Sequence, residues 1–338
     1  MKRLSLFFIL LFCFSTAFAS AFNSVVFFGD SLSDDGNLYN FLVSHHSPLI
    51  VPKSPPYYYG RFSNGPVWTE LVAAYLQKNY EISSENHAVG DAAIVLRGPL
   101  RGALPITLTM EINNYLADSP IADKSGILFI IWIGANDYLD DATSDPSNLA
   151  NTVTEGIQSS IIQLIQSGAR HFLILNMPDL ARVPQAIAKH NTARLGLLSQ
   201  YHNTLLPEVI KNLQELYPTT TYIQVDAYYF LNDLIDHPGK YNPAITDTTD
   251  SCWTGGYFMQ YMQNPVTKGM TLKSTVLNQA YQFGQDCEKN PQSCTCANPD
   301  QYVFWDSVHP TRVVHQLLAT IIENVLDNEL KPQPVMRG

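Results

Sequence analysis

Short apolar runs alternate along the chain with longer segments of helical periodicity. The predicted strands are Ser24–Gly29, Gly126–Gly134, His171–Asn176 and Thr221–Ala227. The predicted amphipathic helices are Val67–Gln77, Thr152–Ser167, Ile187–Leu216 and Thr311–Leu326. Strands that alternate with helices favour a parallel sheet covered by helices on both faces. We therefore expect an α/β protein, built as a three-layer α/β/α sandwich around a central parallel sheet.

Two regions depart from this alternation. Ser47–Gly65 is rich in Pro, Tyr and Gly and is predicted to be a long ordered loop, whose PPYYYGRF stretch either lines an apolar groove or packs within the loop. Residues 232–300 are polar, show little periodicity and are interpreted as an irregular insertion. No linker separates the elements, so residues 20–338 are predicted to form a single domain.

The first 19 residues have the pattern of a signal peptide. Lys2 and Arg3 precede an apolar run, and Ala17-Phe18-Ala19 is typical of a cleavage site. We expect export through the inner membrane, to the periplasm or beyond. No later stretch approaches the roughly 20 apolar residues of a membrane helix, so a transmembrane segment is not predicted.

The net charge of the 338-residue chain is -10 at pH 7. A negative surface repels nucleic acid and anionic membranes, which argues against nucleic acid as a partner. A lipid substrate would have to be held by apolar contacts.

Four cysteines lie in the predicted mature chain, all near its C-terminus. In an exported protein an even count suggests disulfides. Cys294 and Cys296 are too close to bridge comfortably, which leaves two crosswise pairings with Cys252 and Cys287. The chain has no paired C-x-x-C and no ligand-like histidine spacing, so we predict neither a metal nor a cofactor.

Polar residues with catalytic chemistry follow the predicted strands. Ser31 follows the first strand and Asn136 follows Gly126–Gly134, at the sheet edge where α/β proteins bind ligands. Asp306 and His309 are spaced so that one short turn can hold them together. An imidazole that accepts a serine proton needs a carboxylate on its other ring nitrogen. The pattern predicts a serine hydrolase, and the lack of G-x-S-x-G argues against the usual α/β-hydrolase.

Four sequence blocks resemble those of the GDSL lipases, also called SGNH hydrolases, in the family's order. They are GDSLSDDGN at 29–37, NHAVGDA at 86–92, GAND at 134–137 and DSVHP at 306–310. The whole chain most resembles the exported bacterial branch that includes lysophospholipases A and glycerophospholipid:cholesterol acyltransferases. The resemblance implies a catalytic triad of Ser31 as nucleophile, His309 as base and Asp306 as the carboxylate that orients the base.

The resemblance also implies an oxyanion hole for the reaction's tetrahedral intermediate. Its donors would be the backbone N–H groups of Ser31 and Gly90 and the side-chain amide of Asn136. The family usually has Gly-Gly where this chain has Gly-Asp at 90–91. Because the donor is a backbone N–H, its function should survive, but Asp91 is expected to alter the adjoining acyl groove. Two more residues of the first block are expected to brace the nucleophile loop: Asp34 and Asn37.

The implied activity is hydrolysis of acyl esters of lysophospholipids or phospholipids, with a sterol as an additional acyl acceptor. One alternative is a short-chain or carbohydrate acetyl esterase on the same fold. A second, from another class, is a catalytically silent membrane-binding protein. The segment between Cys252 and Cys296 is predicted either to form a lid that an activating protease opens, or only to be stapled by its disulfides.

Overall fold

The structure is a computed structural model and describes residues 22–47, 50–95, 106–119, 123–141, 144–255, 287 and 290–330. The central sheet has five parallel strands in the order β2-β1-β3-β4-β5. The strands are β1 Ser24–Gly29, β2 Ser83–Asn86, β3 Ile127–Trp132, β4 His171–Leu175 and β5 Thr221–Val225. Two short parallel strands form a second sheet: β6 Asp247–Ser251 and β7 Tyr302–Phe304.

Helices cover both faces of the central sheet, which confirms the predicted three-layer sandwich. The first five helices are α1 Asn37–Ser44, α2 Trp68–Tyr80, α3 Leu108–Asp118, α4 Ala135–Asp140 and α5 Pro146–Gln166. The remaining helices within the described residues are α6 Pro184–Ala188, α7 Thr192–Leu216, α8 Ala227–Asp236, α9 Pro238–Tyr241 and α10 Arg312–Leu330. Helices α2 and α10 pack together in one layer, and α5 packs against α3 and α7 in the other.

The predicted elements are present with shifted ends. Helix α5 begins earlier than predicted because Pro146 occupies its first turn and the Asp145 side chain caps it, accepting hydrogen bonds from the Ser147 and Asn148 amides. The long helix predicted at 187–216 is two helices, α6 and α7, and His190 between them has a left-handed backbone with φ of 55°.

Several short elements escaped the pattern. Strand β2 (SSEN) is polar and lies at the sheet edge, so it lacks the apolar signal of a buried strand. The region predicted to be irregular, 232–300, contains the end of α8, all of α9 and strand β6. Within the ranges that the structure describes, no helix combines the length and hydrophobicity needed to span a bilayer.

Two disulfides join the four cysteines in one of the two crosswise pairings left open above. Cys252 is bonded to Cys296, and Cys287 is bonded to Cys294. Three of these cysteines are buried in a small cluster with Tyr57, Trp253 and Trp305. The predicted signal peptide and nearly all of the predicted lid, from residue 256 to 286, lie outside the described residues.

Candidate active site

Strands β1 and β3 end at the same level, and their following loops carry two of the predicted site residues. Gly29 of β1 is paired with Trp132 of β3. Gly29 has φ of +155°, and a side chain there would bring Cβ within 2.4 Å of the Trp132 carbonyl oxygen. Only glycine fits this close approach of β1 to β3, just before the turn that carries Ser31. The Asp30 carbonyl oxygen then accepts hydrogen bonds from the amides of Ser33 and Asp34, which closes the turn.

The structure brings Ser31, His309 and Asp306 into one hydrogen-bonded chain. Ser31 Oγ lies 2.8 Å from His309 Nε2, and His309 Nδ1 lies 2.8 Å from Asp306 Oδ2. All three side chains are buried. Because the carboxylate accepts the Nδ1 proton, neutral His309 presents an unprotonated Nε2 to the Ser31 hydroxyl. This arrangement can move a proton from the serine to the imidazole when the serine attacks an ester.

Asp306 is held as a carboxylate by the donors around it. Burial alone raises the pKa of Asp306, but His309, the Val308 amide and the Tyr57 hydroxyl together lower the pKa below its ordinary value. Its Oδ1 accepts hydrogen bonds from the Val308 and His309 amides at 2.9 and 2.8 Å. The residue that orients the imidazole is therefore itself fixed by its own turn.

Asn136 lies at the start of α4, on the same edge of the sheet as Ser31. Gly134 before it has φ of +112°, a left-handed conformation that starts the helix sharply. Asn136 Nδ2 donates one hydrogen bond, at 2.9 Å, to the Ala92 carbonyl oxygen. An amide nitrogen carries two hydrogens, so a second remains for an oxyanion. Among the described residues, the Ser31 backbone N–H has no hydrogen-bond acceptor, which fits the same role.

The geometry at Gly90 disagrees with its predicted part in the oxyanion hole. The Gly90 N–H donates to Asp34 Oδ2 at 2.7 Å, and an amide carries a single hydrogen. The hydrogen of this amide is directed at Asp34 in the structure, so the role of Gly90 as an oxyanion donor stays a prediction. The sequence resemblance gave no warning of this, because the contact joins residues that are 56 positions apart.

The first block is tied to the second by two side chains. Asp34 accepts hydrogen bonds from Gly36 and Gly90 at 2.7 Å each, and also from Asn37 and Leu38. Asn37 Nδ2 in turn donates to the carbonyl oxygens of Asn86 and Ala88, both at 2.9 Å. These contacts hold the loop after Ser31 against the loop after β2.

An apolar groove opens beside Ser31 and His309. The space between its walls, part of it open to solvent, is about 760 Å³. Its polar lining includes Ser31, Asn136 and His309, while most of the wall is apolar and comes from β3, α8, α10 and nearby loops. The main apolar residues are Trp132, Leu139, Leu180, Val183, Phe230, Leu231, Phe304, Val308 and Leu318. Such a groove suits an extended hydrocarbon chain.

Sequence reasoning missed three buried polar residues next to the site. Tyr57 donates from its hydroxyl to Asp306 Oδ2 at 2.7 Å. Glu111 accepts from the amides of Gly29 and Val89, and burial raises its pKa well above the ordinary value. His315 lines the groove, and burial, with His309 nearby, lowers its pKa to about 3. Tyr57 and Glu111 have no local sequence signal, because each contacts the site across a long sequence separation. His315 follows the DSVHP block closely but lies outside it, within α10.

Metal-ligating side chains are not grouped in this part of the molecule. Over the described ranges, no three His, Cys, Asp or Glu residues are placed so as to hold a metal ion.

A three-layer sandwich with a buried serine, histidine and aspartate at one edge of its sheet is the framework of a serine hydrolase. The model of the GDSL-like lipase/acylhydrolase family matches residues 25–322, and the chain belongs to that family. This confirms the resemblance drawn from the four sequence blocks.

Several proteins are similar to this one along most of its chain. A phosphatidylcholine-sterol acyltransferase of Aeromonas hydrophila is 29% identical, over 90% of this chain and 91% of its own length. The GDSL esterase/lipase APG of Arabidopsis thaliana is 27% identical, over 90% of this chain and 91% of its own length. A thermolabile hemolysin of Vibrio parahaemolyticus is 26% identical, over 88% of this chain and 62% of its own.

Solved structures with similar folds are more distant in sequence. A catalytic mutant of an acetylxylan esterase from Geobacillus stearothermophilus has a TM-score of 0.43 at 12% identity, covering 93% of this chain and 99% of its own. A lipase/acylhydrolase from Enterococcus faecalis has a TM-score of 0.40 at 13% identity, covering 93% of this chain and 100% of its own.

Proposed function

We propose that the protein is an exported serine esterase that cleaves long-chain acyl esters of lysophospholipids and phospholipids through an acyl-enzyme. The observation that carries this proposal is the hydrogen-bonded chain Ser31–His309–Asp306, whose Ser31 and His309 line an apolar groove. The triad geometry supports ester cleavage, and the groove supports an acyl group much longer than acetyl.

The proposed reaction begins when Ser31 Oγ attacks the ester carbonyl while His309 Nε2 takes the hydroxyl proton. The carbonyl oxygen becomes negative and is stabilised by the Ser31 N–H and Asn136 Nδ2, two donors not exhausted by other bonds. Collapse of the tetrahedral intermediate expels the alcohol, which receives the proton from His309. Ser31 is left as an acyl ester, and Asp306 stabilises the imidazolium in between.

The acyl-enzyme has two fates in this proposal. Water activated by His309 releases a fatty acid, whereas an alcohol in place of water yields a new ester. Acyl transfer to a sterol enters the proposal because the Aeromonas hydrophila relative is a phosphatidylcholine-sterol acyltransferase. Export is supported by the signal-like residues 1–19 and by the two disulfides.

A chain-length series separates this proposal from a short-chain or carbohydrate acetyl esterase. We expect kcat/KM for nitrophenyl esters to rise from acetyl to long acyl chains, and lysophosphatidylcholine to release fatty acid. Equal or better turnover of acetyl esters would support the acetyl esterase. A protein that neither turns over any ester nor reacts with a fluorophosphonate would support the silent membrane-binding protein. The same lipid panel with cholesterol, with product analysis, measures acyl transfer.

The groove itself is tested by the substitution Ala227→Trp. Ala227 is buried and lines the groove at the start of α8, so an indole there occupies acyl space. We expect long-chain turnover to fall at least tenfold while acetyl turnover stays close to wild type. Because overpacking a buried site costs roughly 1–3 kcal/mol, the assay is run well below the melting temperature measured for the variant. Ala193→Trp, at an exposed position of α7, is the matched control. Equal losses for both chain lengths would show that the groove does not select the acyl chain.

A further inference from the structure

A buried tyrosine contacts the carboxylate of the triad. Tyr57 lies in the loop between α1 and α2, only 2% exposed, and its hydroxyl donates to Asp306 Oδ2 at 2.7 Å. The two residues are 249 positions apart, so the contact exists only in the folded chain. The sequence pattern left the PPYYYGRF stretch as either groove lining or loop packing.

Tyr57 is unusual among the partners of Asp306. The other donors come from the short turn that holds Asp306 itself: the Val308 amide, the His309 amide and the His309 ring. Over the described residues, Asp306 forms no ion pair with a Lys or Arg; its ion-pair partner there is His309. The Tyr57 hydroxyl is thus the donor that ties the carboxylate to a different part of the fold.

We propose that Tyr57 is a positioning residue of the catalytic apparatus, whose hydroxyl holds the Asp306 carboxylate toward His309 and tempers how strongly that carboxylate holds the imidazolium proton. This inference rests on the proposed function of the triad. A hydrogen bond to a charged group is stronger than one between neutral groups, and a buried carboxylate gains most from it.

The ring of Tyr57 is fixed by aromatic packing, so its hydroxyl has one direction. It meets Trp305 nearly edge-on, with ring centroids 6.1 Å apart, and Phe62 at 6.4 Å. Phe62 in turn lies 5.0 Å from the His309 ring. A phenylalanine at position 57 would keep these contacts and remove only the oxygen.

A purely structural role for Tyr57 makes a different prediction. Tyr57 belongs to the cluster that contains Trp305 and three disulfide cysteines, and packing there needs the ring alone. If packing were its whole role, Tyr57→Phe would leave the pH dependence of catalysis unchanged. The positioning role requires that the oxygen matter to the reaction.

Loss of the hydroxyl should move the acid limb of the pH profile upward. Without this donor the Asp306 carboxylate is more basic and binds the His309 proton more tightly, so His309 becomes an active base only at higher pH. The titratable groups that line the groove beside His309 are His315, whose pKa is lowered to about 3 by burial and by His309, and Asp30. Both are present in wild type and variant and so do not alter the comparison.

The test compares kcat/KM over pH for wild type, Tyr57→Phe and Tyr58→Phe, with a soluble nitrophenyl ester. Tyr58 is adjacent and partly exposed, and serves as the control. For Tyr57→Phe we expect kcat/KM at the pH optimum to fall roughly tenfold, as for a lost hydrogen bond to a charged group. The acid limb of the profile should move to higher pH by about half a pH unit. Tyr58→Phe should match wild type.

A second pair of variants isolates the path through Asp306. In an Asp306→Asn background, Tyr57→Phe should cause little further loss, because residues that act as a unit are not additive. A wild-type profile for Tyr57→Phe, or a loss that keeps the acid limb in place and persists beside Asp306→Asn, would overturn the proposal. Ser31→Ala is assayed alongside: if it stays active, the serine-hydrolase function fails, which is a separate result from a failure at Tyr57.

Discussion

Replacing Asp34 with asparagine tests the scaffold of the nucleophile loop. Asp34 Oδ1 accepts the amides of Gly36 and Asn37, and Oδ2 accepts those of Leu38 and Gly90. Both oxygens are therefore needed as acceptors. Asparagine keeps one oxygen and turns an NH₂ group toward two backbone N–H groups, whichever way the amide is placed.

The expected loss follows from that count. Each buried N–H left without an acceptor costs roughly 1–3 kcal/mol, so two cost about 2–6 kcal/mol of unfolding free energy. At neutral pH this loss is partly offset, because burying the ionised Asp34 carboxylate destabilises the wild type. Burial raises the pKa of Asp34 from 3.8 to about 6, although the four amide donors, led by Gly90, act to lower it.

The offset gives the destabilisation a pH dependence of known sign. The folded-state pKa lies above the unfolded value, so the stability from this titration is complete below pH 3.8 and lost as pH rises through about 6. Between pH 5 and 7.5 the wild type should lose about 1.4 kcal/mol through this group, and Asp34→Asn should not. The gap between the two proteins therefore shrinks with pH.

Urea unfolding followed by tryptophan fluorescence at the two pH values measures this gap. Asp145→Asn is the control: it keeps an oxygen that can cap α5 and removes only an exposed charge. The pKa of Asp145 is lowered, chiefly by the Ser147 hydroxyl, so its carboxylate is ionised at both pH values and the gap should be the same at both. An Asp34→Asn protein as stable as wild type would refute the bonding argument. If the difference in unfolding free energy between the two proteins widened with pH, the amide donors would lower the pKa of Asp34 more than burial raises it.

Three further predictions concern the oxyanion site and the cysteine region. Asn136→Ala should lower kcat by roughly 10²–10³ with little change in KM, measured by steady-state kinetics, and a raised KM at unchanged kcat would make Asn136 a substrate-binding residue. Replacing Cys252 and Cys296 together with serine should cost about 2–4 kcal/mol in urea unfolding, and an unchanged midpoint would deny the disulfide a stabilising role. Limited proteolysis of the oxidised protein should cut within 253–286 and raise lysophospholipid hydrolysis if that segment is a lid, whereas unchanged or lost activity with the triad region still folded would leave it a disulfide-stapled loop.

The core of the fold was predictable because burial leaves a direct mark on sequence. Strand β3 (ILFIIW) is buried on both faces and reads as an uninterrupted apolar run, and β1 was predicted with its observed bounds. Strand β2 has no such mark, since at a sheet edge its side chains are mostly exposed. Strand order was likewise not readable, because pairing depends on crossovers between distant segments.

The site residues also fall into those that the sequence indicates and those that it does not. Ser31, Asp306 and His309 lie within short motifs, and the structure brings these residues together. Tyr57 and Glu111 contact the site across 249 and 82 residues, and no local pattern encodes such contacts. Gly90 shows that a motif can also indicate a role without revealing a competing contact. Its motif suggested an oxyanion donor, but in the folded chain the Gly90 N–H donates a hydrogen bond to Asp34.

The most direct test of the central claim is peptide mass mapping after reaction with a long-chain alkyl fluorophosphonate, which traps an activated serine. We predict one adduct, on Ser31, which forms at the same rate as esterase activity is lost. The adduct should be absent from Ser31→Ala and should form much more slowly in His309→Ala. An adduct on another residue with Ser31 unmodified, or a folded Ser31→Ala protein with wild-type turnover, would contradict the assignment of Ser31 as the nucleophile.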